Sequence, residues 1–187
     1  MPNRYLSDVS IMIVDDQDFC CRMVREMLRA MGASHMTLFT NGEAAWAEIK
    51  VSPPDIVILD WEMEPMDGLL LTRRIRQSKD SPNPFVPIIM VTGHGTMARI
   101  LTARDAGVTE YVIKPLAPKA LFDRIVAVIE RPRRFVRTKI FFGPDRRRHS
   151  ADFEGPDRRS QAELKAEADA GRTKLPTDKK KQMAQEE

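Results

Sequence analysis

Five short apolar runs divide the first 115 residues of the chain. They are SIMIVDD at 10–16, HMTLFTNG at 35–42, DIVILD at 55–60, VPIIMVTG at 86–93 and TEYVIKP at 109–115. Four of them are continuous rather than alternating, which is typical of strands covered on both faces of a parallel sheet. The run at 35–42 is weaker and is a fifth candidate strand.

A segment with helical spacing follows each run. These segments are 18–31, 42–51, 68–78, 96–106 and 118–130, with Gly32, Gly107 and Pro132 as stop signals. In the first segment, Phe19, Met23, Met27 and Leu28 share one side. Five repeats of strand and helix predict a doubly wound α/β domain, with right-handed crossovers that place helices on both faces of the sheet.

The composition changes after residue 130. Residues 1–130 carry 14 Lys and Arg against 17 Asp and Glu, whereas residues 131–187 carry 16 against 10, so the basic charge belongs to the C-terminal part. We therefore predict a domain at 1–130 and a basic, partly disordered extension at 131–187. The extension is largely irregular, although FVRTKIFF could form a strand or short helix that packs on the domain.

Within the extension, the sequence GPDRR occurs at 143–147 and again at 155–159. This repeat is too short to be a folding unit. Its arginines would suit carboxylate or phosphate partners. Residues 161–170 could form a charged helix, and the last 17 residues have the low hydrophobicity of disordered segments.

A chain of 187 residues has room for one domain and an appendage. The mean hydropathy is −0.37, and no apolar run approaches the roughly 20 residues that span a bilayer. The N-terminus also lacks the apolar stretch of a signal peptide. We expect a cytoplasmic protein without membrane insertion.

Reactive polar residues lie where four of the predicted strands end. They are Asp15, Asp16, Asp60, Thr92 and Lys114. Each has an ordinary explanation when taken alone, such as a helix cap for Asp15 or Asp16. Ligands bind at this edge of open α/β sheets, so the presence of reactive polar residues at the ends of four strands predicts one shared site.

The charges of this cluster restrict its chemistry. Close carboxylates repel by roughly 4 kcal/mol per pair at an effective dielectric of about 20, so a proton or cation must lie between them. Mg²⁺ suits a few carboxylates together with water and phosphate oxygens. A phosphoryl group on a carboxylate would also take a cation such as Lys114 and a hydroxyl such as Thr92.

On these residues the sequence resembles the CheY-like receiver domains of bacterial two-component response regulators, over residues 8–130. The resemblance implies a flavodoxin-like sheet with strand order 2-1-3-4-5. It implies that Asp15 and Asp16 bind Mg²⁺ and that Asp60 is phosphorylated by a histidine kinase or histidine phosphotransfer protein. The segment PMDG at 65–68 matches the loop after the phosphoacceptor strand.

The resemblance also implies roles for neighbouring residues. Thr92 matches the switch hydroxyl, Lys114 the lysine of the site, and Pro115 the proline that follows it through a cis peptide. Tyr111 matches the aromatic residue that turns inward on switching. The backbone carbonyl of Glu62 would complete the magnesium shell, while its side chain either orients water or is a solvated loop residue. His94 lies two residues beyond the switch hydroxyl.

Three hypotheses follow. The first is a single-domain response regulator that binds a downstream target protein, or a second copy of itself, and catalyses nothing beyond its own phosphorylation and dephosphorylation. The second is an aspartyl-phosphate phosphatase, which the order of the acidic residues opposes. The third is a transcriptional or other nucleic-acid-binding regulator using the basic extension, which offers no pair of apolar helices for a helix-turn-helix.

Overall fold

The structure of the protein is a computed structural model that describes residues 4–138 and 141–146. The strands are β1 (Ser10–Val14), β2 (His35–Phe39), β3 (Ile56–Asp60), β4 (Ile88–Thr92), β5 (Glu110–Ile113), β6 (Phe135–Arg137) and β7 (Phe142–Pro144). The helices are α1 (Asp18–Ala30), α2 (Gly42–Val51), α3 (Gly68–Gln77), α4 (Met97–Ala106) and α5 (Pro118–Glu130), after a 3-10 turn at Arg4–Leu6. All ten elements predicted before residue 131 are present.

β1 to β5 form one parallel sheet in the order β2-β1-β3-β4-β5, which confirms the predicted fold. Successive strand residues point to opposite faces, so the sheet supports two apolar layers. One layer packs Met12 and Val57 against α2, α3 and α4. The other packs Ile11 and Ile58 against α1 and α5. The four strand ends that matter for the site therefore lie on one edge of a sheet covered on both faces.

The buried side of α1 differs from the apolar side expected from the sequence. Cys21, Val24 and Leu28 face the sheet, whereas Phe19 is 71% exposed. Cys21 is small enough to lie against the end of β1, where its thiol donates to the carbonyl of Asp15 over 3.3 Å. The larger Phe19 is displaced to the solvent side of the first helical turn.

Arg76 of α3 is a buried cation that joins distant segments. The side chain is 2% exposed and donates to the carbonyls of Gly107, Pro84 and Val86 over 2.7 to 3.0 Å. Burial lowers the pKa of Arg76 to about 9, so the guanidinium remains charged at neutral pH. With the hydroxyl of Thr109, which accepts from Nη2 over 3.5 Å, these carbonyls stabilise the charge without a carboxylate.

The segment FVRTKIFF, expected as a strand or a short helix, contains β6 and the first residue of β7. β6 and β7 pair antiparallel, and the rings of Phe135 and Phe142 pack edge-on or tilted against each other and Phe85. The Arg76 guanidinium lies 5.1 Å from the centroid of Phe135. α5 ends at the predicted boundary of residue 130, but the packed structure continues through this hairpin. The expected helix at 161–170 and the last 17 residues lie outside the described residues.

Candidate functional site

Three carboxylates meet where β1 and β3 end. Asp15 and Asp16 follow β1, and Asp60 is the last residue of β3. Carboxylate oxygens of the three residues lie within 4.8 Å of one another. Asp15 and Asp60 are each 5% exposed, whereas Asp16 is exposed. β1 and β3 are adjacent parallel strands, so their carboxyl ends bring these side chains together.

Lys114 follows β5 and reaches this cluster. Its Nζ lies 3.0 Å from Asp15 Oδ2 and 2.8 Å from Asp60 Oδ1. The backbone N–H of Lys114 donates to the carbonyl of Thr92 over 2.7 Å, and the peptide bond to Pro115 is cis, as the resemblance implies. One ammonium group thus bridges the two buried carboxylates.

The pKa shifts describe the charge balance of the cluster. Burial raises the pKa of Asp60 above its ordinary value, and the hydrogen bond from Lys114 offsets this only in part. Burial would lower the pKa of Lys114, but Asp60 and Asp15 together raise it above the ordinary value for lysine. The negative charge of Asp15 also raises the pKa of Asp60, and one ammonium group faces three carboxylates. The cluster therefore retains unbalanced negative charge.

Thr92 and Tyr111 are connected through His94. Thr92 is the last residue of β4, is almost fully buried, and its Oγ1 accepts the N–H of His94 over 3.2 Å. The carbonyl of His94 accepts the hydroxyl of Tyr111, which is half-buried on β5. Burial is the main cause of the raised pKa of Tyr111. The side chains of Thr92 and Tyr111 therefore both bond to the backbone of His94.

Glu62 is an exposed loop residue whose side chain pairs with Arg99 of α4. Its N–H donates to Asp60 Oδ2 over 3.0 Å, and its Oε1 lies 2.7 Å from Arg99 Nη1 and 3.3 Å from His94 Nε2. The hydrogen bond from Arg99 is the main cause of the lowered pKa of Glu62. The Arg99 guanidinium also lies 5.1 Å from the centroid of Trp61. Sequence reasoning missed Arg99, because no local pattern marks a contact between residues so far apart.

Gly68 lies directly against the backbone of Asp60. A Cβ atom at this position would be 2.1 Å from the carbonyl oxygen of Asp60, and the N–H of Gly68 donates to the carbonyl of Trp61 over 2.9 Å. Asp67 caps α3 by accepting the N–H of Leu70 over 2.6 Å. The PMDG segment therefore leads into α3 and is hydrogen-bonded to the residue that follows β3.

The carboxylates fit a magnesium ion. Mg²⁺ is bound octahedrally by oxygen at about 2.1 Å, which spaces opposite ligands about 4.2 Å apart. Neighbouring ligands of such an ion lie about 3.0 Å apart, so the three carboxylate oxygens, which lie within 4.8 Å of one another, would move closer together to bind one ion. The donor set is oxygen alone, which favours Mg²⁺ over zinc or other thiophilic ions.

The sequence was also compared with known families. A sequence model described as the response regulator receiver domain matches residues 11–126. The chain belongs to this family. The matched residues of the receiver domain extend from β1 into α5 and include every strand end described above. The resemblance drawn from those residues is therefore confirmed, and the chain carries a CheY-like receiver domain of two-component systems.

Relatives of the receiver domain are similar over about two thirds of this chain. Chemotaxis protein CheY1 of Helicobacter pylori is 31% identical over 65% of this chain and 97% of its own length. The crystal structure of a putative response regulator from Chloroflexus aurantiacus has a TM-score of 0.62 and 30% identity, covering 67% of this chain and 100% of the other.

One similar structure contains the ion that the carboxylates fit. The receiver domain of the histidine kinase CKI1 from Arabidopsis thaliana, in complex with Mg²⁺, has a TM-score of 0.59 and 25% identity. The similarity covers 66% of this chain and 95% of that domain.

Among the residues of our protein that the structure describes, no helix is both long enough and apolar enough to cross a membrane.

Proposed function

We propose that this chain is a response regulator that accepts a phosphoryl group on Asp60 in a magnesium-dependent reaction and then changes a protein-binding surface. The donor would be a histidine kinase or a histidine phosphotransfer protein. The observation that carries the proposal is the bridge from Lys114 to Asp15 and Asp60 at the end of a buried sheet. A carboxylate so placed lies at the ligand-binding edge of the sheet and already faces a cation for the incoming phosphoryl oxygens.

The reaction needs little from the protein beyond positioning and charge. A carboxylate oxygen of Asp60 would form the bond to phosphorus as the phosphorus–nitrogen bond of the donor histidine breaks, and the leaving imidazole keeps that electron pair. Lys114 would bind an oxygen of the transferred group. Asp15, Asp16, Asp60 and the backbone carbonyl of Glu62 would hold Mg²⁺, which supplies charge neutralisation at the phosphoryl oxygens.

Switching would begin at Thr92. A phosphoryl oxygen on Asp60 would accept the O–H of Thr92 and draw the hydroxyl toward it, which lengthens the hydrogen bond from the N–H of His94 and loosens the link to Tyr111. The negative charge of the phosphoryl group would also attract Arg99, which in this structure pairs with Glu62 over 2.7 Å. Both changes act on the start of α4, so phosphorylation can favour a different arrangement of that helix.

The surface that responds would be formed by 96–106, 109–113 and 118–130. A cavity of about 590 Å³ lies there, and its lining includes Leu101, Tyr111 and Ile113. Met97 on its rim is 69% exposed, and such apolar exposure is typical of protein-binding sites. We propose a target protein, or a second copy of this chain, as the partner.

Catalysis on a separate substrate and nucleic-acid binding have less support. The acidic pair precedes Asp60 in the chain, in the reverse of the order expected for an aspartyl-phosphate phosphatase. Arginines near the hairpin contact protein groups: Arg133 donates to the carbonyl of Thr109 over 3.1 Å, and Arg137 and Arg146 lie over the rings of Phe142 and Phe141. These side chains are thus engaged within the chain.

Incubation with acetyl phosphate tests the proposed reaction. We expect the mass of the intact chain to increase by one phosphoryl group when Mg²⁺ is present. Chelation of the ion should prevent the increase, because the three carboxylates then repel the phosphoryl oxygens. A mass increase that is equally fast without Mg²⁺ would contradict the role assigned to the carboxylates.

Replacement of Asp16 with asparagine tests the metal site. Asp16 is the exposed member of the cluster, so the change should leave the packing intact and weaken Mg²⁺ binding by about tenfold. Titration calorimetry measures the affinity. The matched control is Asp18→Asn, because Asp18 is also exposed but pairs with Arg22 on α1. Equal affinities of the two variants would rule out Asp16 as a ligand.

A further inference from the structure

The hairpin brings one copy of a repeated sequence onto the receiver domain. We call residues 141–147 (FFGPDRR) the first repeat and residues 153–159 (FEGPDRR) the second repeat. They differ at one position, where Phe142 corresponds to Glu154. The surface that receives the first repeat is called the docking site and is formed by Phe85, Asp105, Gly107, Arg133, Arg134, Phe135 and Arg137.

The buried residues of the first repeat are those that the second repeat retains. Phe141, Gly143 and Pro144 are buried. A Cβ atom at Gly143 would lie 3.0 Å from the Cα of Gly107 and 2.8 Å from the Phe141 ring, so the close approach requires glycine. The corresponding residues of the second repeat are Phe153, Gly155 and Pro156.

Polar contacts of the first repeat are also available to the second. The N–H of Asp145 donates to the carbonyl of Arg134 over 2.7 Å, and the carbonyl of Asp145 accepts from Arg133. These bonds use backbone atoms and would not distinguish Asp157 from Asp145. Arg146 lies 3.5 Å from the carboxylate of Asp105, and Arg158 corresponds to it.

The position that differs is the one where the docking site tolerates a charge. Phe142 is half-buried, and the guanidinium of Arg137 lies 4.4 Å from its ring centroid. A glutamate in its place would lose the contact with Phe85 and gain a cation partner. Glu154 is therefore compatible with the docking site, although it fits less well than Phe142.

We propose that the second repeat is an alternative occupant of the docking site that replaces the first repeat within the same chain. The replacement lengthens the connection after β6 from residues 138–141 to residues 138–153, which disfavours it by about eightfold. Loss of the Phe142 ring contacts adds to this preference. The first repeat is accordingly the one docked in the structure.

The exchange would change what the chain presents to a partner. With the second repeat docked, Phe135 and the buried Arg76 remain covered. The released first repeat then carries two phenylalanines and its arginines away from the receiver surface. A partner with a groove lined by apolar and acidic side chains would bind that segment, while Phe135 and Arg76 stay covered by the second repeat. The exchange does not depend on phosphorylation of Asp60, so it can be tested separately.

Hydrogen exchange of the full chain, read by mass spectrometry, tests the proposal. In the unaltered chain, the segment 143–146 should exchange slowly at the amides of Gly143 and Asp145, and the segment 155–158 should exchange rapidly at those of Gly155 and Asp157. Phe141→Ser removes the buried ring of the first repeat and should transfer slow exchange to residues 155–158. The matched control, Phe153→Ser, should leave the first repeat protected. Rapid exchange of both repeats in Phe141→Ser would overturn the proposal.

A second variant exchanges the two repeats without changing the composition. The double change Phe142→Glu and Glu154→Phe gives each repeat the sequence of the other. We expect the protection of residues 143–146 to fall by about tenfold, because the better sequence now lies in the second repeat. Unchanged protection of residues 143–146 would show that the docking site does not discriminate between the two repeat sequences. Protection of residues 155–158 that rises with protein concentration would place the second repeat on another chain and also overturn the proposal.

Discussion

Replacement of Asp60 with asparagine should abolish the addition of a phosphoryl group from acetyl phosphate. The amide of asparagine keeps the shape of the side chain but does not form an acyl phosphate under these conditions. The loss should be complete rather than partial, because the proposal assigns Asp15 and Asp16 to the metal ion and the phosphoryl group to Asp60 alone. The mass of the intact chain measures the result.

The Asp60→Asn variant should remain folded, so the loss can be assigned to chemistry. Burial raises the pKa of Asp60, which means that the ionised carboxylate lowers the stability of the native state at pH values above its unfolded pKa. The uncharged amide removes that cost, and Lys114 keeps Asp15 as a partner. Asp67→Asn is the matched control, because asparagine also caps a helix. A phosphoryl group still found on the Asp60→Asn variant would refute the assignment.

Replacement of Gly68 with alanine should strongly destabilise the domain. The added Cβ would lie 2.1 Å from the carbonyl oxygen of Asp60, and the contacted atom is backbone that no rotamer change can remove. We expect a loss of about 3 kcal/mol, or about 10 °C in Tm. This loss opposes the helix propensity of alanine, which alone would favour the change at the start of α3.

The same variant should also weaken Mg²⁺ binding, because any displacement of α3 moves the end of β3 and the Asp60 carboxylate with it. Gly93→Ala is the control, since a Cβ there meets nothing within 4 Å. Thermal unfolding and titration calorimetry measure the two effects. A Gly68→Ala variant as stable as Gly93→Ala would show that the close approach to Asp60 is not required.

The elements and their order could be predicted because their signals are local. The continuous run DIVILD predicts a strand buried on both faces, and all five residues of β3 are buried. The face of α1 was less accessible to prediction. Spacing alone grouped Phe19 with Met23, whereas contact with the end of β1 selected Cys21 and Val24. A periodic pattern identifies a helix more reliably than it identifies which of several apolar residues is buried.

The candidate site was predictable to the level of its members, since parallel strands place their carboxyl ends on one edge. Its supporting contacts were not. The pair between Glu62 and Arg99, at 2.7 Å, joins the loop after β3 to α4, which no spacing rule connects. The hydrogen bonds of His94 to Thr92 and Tyr111 likewise depend on the turn after β4.

By itself, the sequence determined the five strand–helix units, the family, and the residues gathered at the strand ends. These follow from short-range periodicity and from the fixed geometry of a parallel sheet. The tertiary structure alone decided that Gly68 lies against Asp60, that Arg76 is buried against backbone carbonyls, and that the first repeat docks on Gly107. Such contacts join residues remote in the chain, and their energies depend on packing that is defined only when the whole domain is folded.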